Sequence, residues 1–478
     1  MCGTLDLSLP PSEHCSADRI AEVKSGKLAR RSRAAEQAPR RATGISWSST
    51  ELQCSGLMAG VNERTQVLFV TGANPMRGGG GLESYVRAHA LAADAAGFDV
   101  HVFCLGRGAR VSREAFGYVH QTAIPPHTIR SALAGLYSPL LARALNRHVR
   151  HAEPVLIHAF GAHSVGAARF CRAHEGRGLR SVLVTSAFTT EAQETGALLA
   201  GLRREHGAVN ALHYLARYGI VRAIGTRNER RGYAASRLLL VNYESVRTLL
   251  REQFRADWEI REMPYASDTA FSSFAEADHG PAPDPIATLE PGTAPLIVCV
   301  SRHDARKGVD VLLEALGAMQ ASGVSFRACL LGRGELIDAH RRLAERLGLG
   351  RSVVITGKVP DVVPYLVRAD VYVLPSLSEA SGSVSLLEAM QAGAAIVTSG
   401  CDGIPEDVVD GESAIVVAPG DVTALAGAIS TLLGDAGLRR RLGARAREVY
   451  EQRFSAEPFI DALSGLYGEL GFTPGPAR

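Results

Sequence analysis

Three short segments hold residue types that could do chemistry, and each follows an apolar run. In Ser301-Arg302-His303-Asp304-Ala305-Arg306-Lys307-Gly308, a guanidinium and an ammonium share one loop. Arg302 offers a planar fork and Lys307 a compact charge, and both suit the oxygens of a diphosphate. A solvated basic turn is the alternative. In Gly78-Gly79-Gly80-Gly81-Leu82-Glu83, glycine lets the backbone approach a ligand closely and take positive φ. A helix starting there would present unpaired N–H groups to phosphate. The run matches neither G-x-G-x-x-G nor the P-loop pattern, and a flexible surface loop is its alternative. The third segment runs from Pro375-Ser376 through Glu379, Ser381, Gly382 and Ser383 to Glu388 and Met390. Its small residues can open a helix whose first turn takes a phosphate. Glu388, a turn further in, could accept two hydroxyl hydrogen bonds, as a ribose 2′,3′-diol would supply. On its own it reads equally as a helix-surface acid.

The elements that must position these segments follow from periodicity. Gln66-Val67-Leu68-Phe69-Val70-Thr71 predicts a strand, residues 82–96 a helix closed by Gly97, and Val100-His101-Val102-Phe103 the next strand. Repetition of this unit builds a parallel sheet. Further strands are expected at 155–158, 182–185 and 238–241, the last after a long helical region from about 192 to 234. Residues 275–295, rich in proline, alanine and acid, read as a linker. A second series starts at Leu296-Ile297-Val298-Cys299-Val300, with strands at 328–331, 353–355, 371–374, 395–398 and 414–417. Helices are expected at 309–319 and 385–392, and through most of 422–470. The expected fold class is α/β, with two doubly wound domains facing a cleft. All three segments then lie at strand carboxyl ends, where open α/β sheets bind ligands. Residues 1–57 are polar, with Pro10-Pro11 and a basic cluster from Lys24 to Arg41. They read as a disordered tail, with attraction to anionic lipid as the functional alternative. Order is expected to begin at Gln66, in a first domain counted from Met58.

Composition agrees. A chain of 478 residues, 46% hydrophobic with 49 glycines and 6% aromatics, fits two or three α/β domains better than a β-sandwich. A formal net charge of +3 gives no reason to expect a nucleic-acid partner. None of the eight cysteines forms a C-x-x-C pair, which argues against a zinc site and fits a reducing cytoplasm. No stretch approaches the ~18 apolar residues that span a bilayer, and no apolar h-region suggests a secretory signal.

Taken together, the segments resemble the retaining family-4 glycosyltransferases of the GT-B fold, from about Val67 to Glu451. Arg302 to Lys307-Gly308 is similar to the family's R-x-x-x-x-K-G pattern. Leu331-Gly332-Arg333-Gly334 is similar to its glycine turn, and Ala369-Asp370-Val371 to Pro375-Ser376 to its "aDv…lPS" strand and loop. Glu388-Ala389-Met390 to Gly393 and Val397-Thr398 resemble "EAMa.G.pVv". Gly80-Gly81-Leu82-Glu83 resembles the Gly-Gly-x-Glu loop, and Pro264 to Asp268 with Phe271 the "PngvD…F" segment. The resemblance implies two Rossmann-like domains: an acceptor domain over 58–274 and a nucleotide-sugar donor domain over 296–450. A C-terminal helix within 451–478 is expected to pack back on the first. It implies that Arg302 and Lys307 bind and stabilise the leaving diphosphate, with Glu379 beside the donor sugar. Glu388 would hold the ribose, and Gly80 and Gly81 would approach the phosphates. Lys358 and Val359 would border the base. No metal or other cofactor is implied, since cations can stabilise the leaving charge.

Three departures stand out. Glu379 and Glu388 have eight residues between them, one more than the family's paired acids, so Glu379 need not stand beside the sugar. The stretch Val184-Thr185-Ser186-Ala187-Phe188-Thr189 lacks a histidine that many members carry, leaving His158 and His163 as alternatives for contacting substrate, against an ordinary structural role. The family's "NGvD" is read here as Tyr265-Ala266-Ser267-Asp268. The implied reaction is transfer of a sugar from a nucleotide-diphosphate donor to a hydroxyl acceptor, with retention, in glycan, polysaccharide or glycolipid biosynthesis. A nucleotide-sugar 2-epimerase-like isomerase and a catalytically silent binding subunit are the rivals. The basic stretch 199–231 allows a lipid-linked acceptor or peripheral contact with the inner face of a membrane, against a helix pair with a solvated face.

Overall fold

Short runs of Val, Ile and Leu, buried on both faces, build two parallel sheets. The computed structural model describes residues 64–77, 80–124, 134–149, 154–193, 196, 219, 221–272, 274, 284–289, 294–379 and 381–475. The expected tail over 1–57, its basic cluster, Gly78, Gly79, most of the linker over 275–295 and most of 199–231 lie outside these residues.

The first half contains β1 (Gln66–Val70), α1 (Gly81–Ala95), β2 (Asp99–Gly106), β3 (Arg110–Glu114), β4 (Gly117–Ala123), α2 (Ala134–His148) and β5 (Val155–Phe160). It continues with α3 (Ser164–Glu175), β6 (Ser181–Ser186), α4 (Thr226–Tyr233), β7 (Leu238–Val241), α5 (Glu244–Phe254) and β8 (Ile260–Glu262). The second half contains β9 (Leu296–Val300), α6 (Val309–Ala321), β10 (Arg327–Leu331), α7 (Ile337–Arg346), β11 (Val353–Gly357) and β12 (Val371–Leu374). It ends with α8 (Val384–Ala392), β13 (Ala395–Ser399), β14 (Ile415–Val417), α9 (Val422–Gly434), α10 (Ala436–Arg453) and α11 (Ala456–Glu469).

The strand orders are β3-β4-β2-β1-β5-β6-β7-β8 and β11-β10-β9-β12-β13-β14. All neighbours are parallel except β3 and β4. The chain therefore reverses its direction of winding beside β1 in the first sheet and beside β9 in the second. Such switch points open a crevice at the strand carboxyl ends. The β3–β4 hairpin was not among the expected strands. No residue of β3 is buried, and its single apolar residue, Val111, is exposed, which hides it from a search for apolar runs.

One core cluster joins the halves, combining Tyr85, Tyr243 and Tyr265 with Leu386, Met390 and Ile404. The chain then crosses back. α9 and α10 are capped by Asp421 and Asp435, whose carboxylates accept from Ala424 N at 2.9 Å and Leu438 N at 2.8 Å. After α10, helix α11 sinks Phe459, Leu463 and Tyr467 into the first half's core, against Val67, Phe69 and Phe98. Five described cysteines are free and buried. Among the described residues no helix is long and apolar enough to cross a membrane.

Candidate active site

The loop after β9 is organised by Asp304. Its carboxylate accepts the Arg306 N–H at 3.1 Å and lies 3.4 Å from Arg302 Nη2 and 3.7 Å from Arg306 Nη2. The Arg306 carbonyl accepts the N–H groups of Leu377 (2.7 Å) and Ser378 (3.2 Å), which fastens this loop to the one after β12. Gly308 completes the junction. Its φ is +59°, and a Cβ there would run into the Pro375 carbonyl.

This closeness brings Lys307 Nζ onto the Glu379 carboxylate, with the two side chains only 12% and 3% exposed. The Ser376 hydroxyl donates to the other Glu379 oxygen. Asp402 steadies the loop from below, accepting from Glu379 N at 2.6 Å and Ser378 Oγ at 2.8 Å, with its own backbone left-handed at φ +48°. Arg302, on the same loop as Lys307, has a side chain 52% exposed. The arrangement sets one sheltered and one accessible cation at a strand-end crevice.

Two helix starts complete the site. Ser383 precedes α8 in an extended conformation, and its hydroxyl meets Ser385 Oγ at 3.1 Å instead of capping the backbone. Gly80, which precedes α1, has no side chain to cap with. A Cβ on Gly81 would sit 3.6 Å from Val384 Cγ2, so the amino ends of α1 and α8 face each other at contact distance. Each carries open N–H groups and the positive end of a helix dipole. Lys358 is exposed and Val359 half-buried at the carboxyl end of β11, on the same side of the second sheet.

Glu388 is buried in α8. Burial, with Asp268 and Asp361 nearby, pushes its carboxyl up to about 8, while Arg87 opposes the shift. The segment after β8 ties the halves here. Asp268 accepts from Arg87 Nε at 2.7 Å and from the Ser84 hydroxyl, both on α1, and Gln391 Nε2 of α8 donates to the Thr269 carbonyl at 3.1 Å. Gly382 leaves room for Tyr243, whose hydroxyl would collide with an added Cβ. Tyr243 donates to Asp407 Oδ2 at 2.6 Å, and Tyr265 reaches the same carboxylate at 3.1 Å. Burial holds Asp407 well above the usual carboxylate range. Glu406 accepts the N–H groups of Glu244 (2.9 Å) and Ser245 (3.1 Å), capping α5 from the other half. Tyr243, Asp402, Arg87 and Asp407 were not singled out by sequence reasoning. No local spacing marks them, because their partners lie far away in the chain.

One expectation needs correction. His158 does not face the cleft. It lies within β5, so its ring points to a face of the sheet and not beyond a strand end. It is completely buried, with Nδ1 2.7 Å from Tyr467 Oη and Nε2 2.7 Å from Ser186 Oγ, which occupies both ring nitrogens. His163, in the turn after β5, is also buried; its ring fills the space left by Gly72 just after β1.

Two family models match successive stretches and together span more than half the chain. Glycosyltransferase Family 4 matches residues 79–271, and Glycosyl transferases group 1 matches residues 294–435. A lipopolysaccharide core biosynthesis glycosyltransferase of Rhizobium meliloti is 35% identical over 176 residues, which is 37% of this chain and 50% of the relative. The chain spans about half the length of the curated relatives it matches. Among solved structures, sucrose-phosphate synthase from Thermosynechococcus elongatus aligns with a TM-score of 0.66 at 21% identity, covering 85% of this chain and 99% of that one. The Anabaena protein HepE, in complex with UDP-glucose, aligns with a TM-score of 0.60 at 18% identity, covering 84% and 99%. At these identities the structural likeness establishes the GT-B fold alone.

Proposed function

This chain belongs to the family-4, group-1 glycosyltransferases, and on that premise we propose that it moves a sugar from a nucleotide-diphosphate donor to a hydroxyl acceptor, with retention of the anomeric configuration. The observation that carries the proposal is the junction of the loops after β9 and β12. There Lys307 pairs with Glu379 in the loop that leads to α8, whose amino end faces that of α1. A diphosphate bound alongside these helix ends meets two sets of backbone N–H donors and two cations. Both stabilise the charge that develops as the nucleotide leaves. Arg302 and Lys307 do this without calling on a metal at the donor site.

Glu379 orients Lys307 through their ion pair. Glu388 receives the ribose hydroxyls, and Lys358 with Val359 borders the base. A nucleotide-sugar donor is supported by the fold shared with HepE, which was solved with UDP-glucose. A role in glycan, polysaccharide or glycolipid synthesis is supported by the Rhizobium relative, and a lipid-linked acceptor reached by peripheral contact with the membrane would suit such a product. Five free buried cysteines suit a reducing compartment such as the cytoplasm.

The test is calorimetry with UDP-, GDP- and ADP-sugars, followed by nucleotide release with candidate acceptors. One donor class is expected to bind. Lys307→Ala is expected to lower turnover by about 10²–10³-fold, as when a transition-state charge partner is removed. Absence of binding by every donor, or unchanged turnover in a Lys307→Ala, Arg302→Ala double variant, overturns the proposal.

A further inference from the structure

Two neighbouring interior strands of the first sheet and the carboxyl end of α2 gather three imidazoles that the donor site does not use. His101 lies in β2, His120 in β4, and His148 is the last residue of α2. One ring nitrogen from each lies within 4.8 Å of the other two. His101 Nδ1 is 2.9 Å from His120 Nε2. Ring centroids are 4.1 Å apart for His101 and His148, and 5.0 Å for His120 and His148. The remaining nitrogen of His101, Nε2, faces Asp99 Oδ2 at 3.1 Å.

We propose that His101, His120 and His148 bind one divalent transition-metal ion, zinc by the chemistry of the donors, with Asp99 orienting His101 from outside the coordination sphere. Three imidazoles with a fourth position for water form a recurrent zinc set. An all-nitrogen set suits zinc and its neighbours in the series, whereas magnesium and calcium take oxygen. Zinc–nitrogen bonds of about 2.0–2.1 Å in a tetrahedron put ligand nitrogens roughly 3.3 Å apart. The separations here need only small shifts of the rings to reach that spacing. A carboxylate on the far nitrogen of a ligating histidine fixes its tautomer and raises its basicity. The negative end of the α2 dipole, at His148, adds attraction for a cation.

The location defines the role. His101 is near the amino end of β2, whereas the donor crevice lies at strand carboxyl ends. The ion therefore pins the end of α2 to β2 and β4 and takes no part in sugar transfer. The competing account is an ion-free stack, in which Tyr118 packs on His101 at 5.3 Å and Phe103 on His120 at 4.6 Å between centroids.

The test uses the full chain, stripped with a chelator and titrated with Zn²⁺ and with Co²⁺. The expected result is one equivalent of tight binding, and a cobalt spectrum with tetrahedral ligand-field bands and no thiolate charge-transfer band. Zinc is expected to raise the unfolding temperature. His148→Ala and His120→Gln should each abolish that rise and the cobalt bands, and Asp99→Ala should weaken binding about 10–100-fold. Zinc should also protect these three histidines of the wild-type chain from diethylpyrocarbonate, read by peptide mapping, which decides the matter should a variant fail to fold. No stoichiometric binding, a thiolate band, binding that survives both histidine variants, or no protection overturns the proposal.

Discussion

Glu388 illustrates how burial within the fold sets the protonation of a single side chain. Its carboxyl is pushed up to about 8 by burial, so the folded chain retains a proton that the unfolded chain releases near the ordinary carboxylate value. Between roughly pH 4.5 and 8 the native state therefore binds more protons, and stability falls as pH rises, by up to about 1.4 kcal/mol per unit from this group. Glu388→Gln is expected to flatten that part of the pH profile relative to wild type in urea unfolding. Glu229, also pushed up to about 8 by burial, continues to contribute in both proteins, so the difference between them is the measurement. Ribose hydroxyls donate best to the ionised form. Donor binding near neutral pH should therefore release a proton, seen as a buffer-dependent calorimetric heat that Glu388→Gln removes.

At the scale of elements, loop-to-loop contact decides where Lys307 sits. The loops after β9 and β12 come close enough to share hydrogen bonds only because Gly308 lacks a Cβ and takes φ +59°. Gly308→Ala meets both a backbone penalty and the Pro375 carbonyl. It is expected to cost about 1–3 kcal/mol in chemical denaturation and to weaken donor binding by displacing Lys307. Gly465 on α11 has open space around its Cα. Gly465→Ala is the matched control and should leave donor affinity unchanged. Equal loss of donor affinity in both variants would show that the loop junction is not what matters.

The whole molecule is held by a chain that crosses between its halves. The last helix, α11, ends in the first half's core, where Phe459 is completely buried. Phe459→Ala is expected to destabilise the protein by about 3–5 kcal/mol, measured by urea unfolding. Because α11 also carries Tyr467, which bonds His158, the loss falls on the first half. A separate, earlier unfolding transition for that half is the expected signature. At the other join, Tyr243 and Tyr265 meet the buried Asp407, which packs two tyrosine hydroxyls onto one carboxylate across the halves.

What the sequence determined by itself is what local physics controls. Strands at 238–241, 296–300 and 371–374 were legible because parallel strands buried on both faces must be apolar throughout. The segments after β1, β9 and β12 were legible as strand-end loops, because glycine and polar residues directly after an apolar run end a strand. The β3–β4 hairpin was missed because a polar edge strand lacks that signature. Side-chain direction within β5 misled the reading of His158, since proximity to a strand end in sequence does not say which way a ring points. Contacts between distant positions belong to the tertiary structure alone. Lys307 reaching Glu379, Tyr243 reaching Asp407, and His101, His120 and His148 meeting at the end of α2 all depend on how the sheets twist and cross over. Cysteine spacing argued against zinc, but a site assembled from three separate elements has no spacing to read.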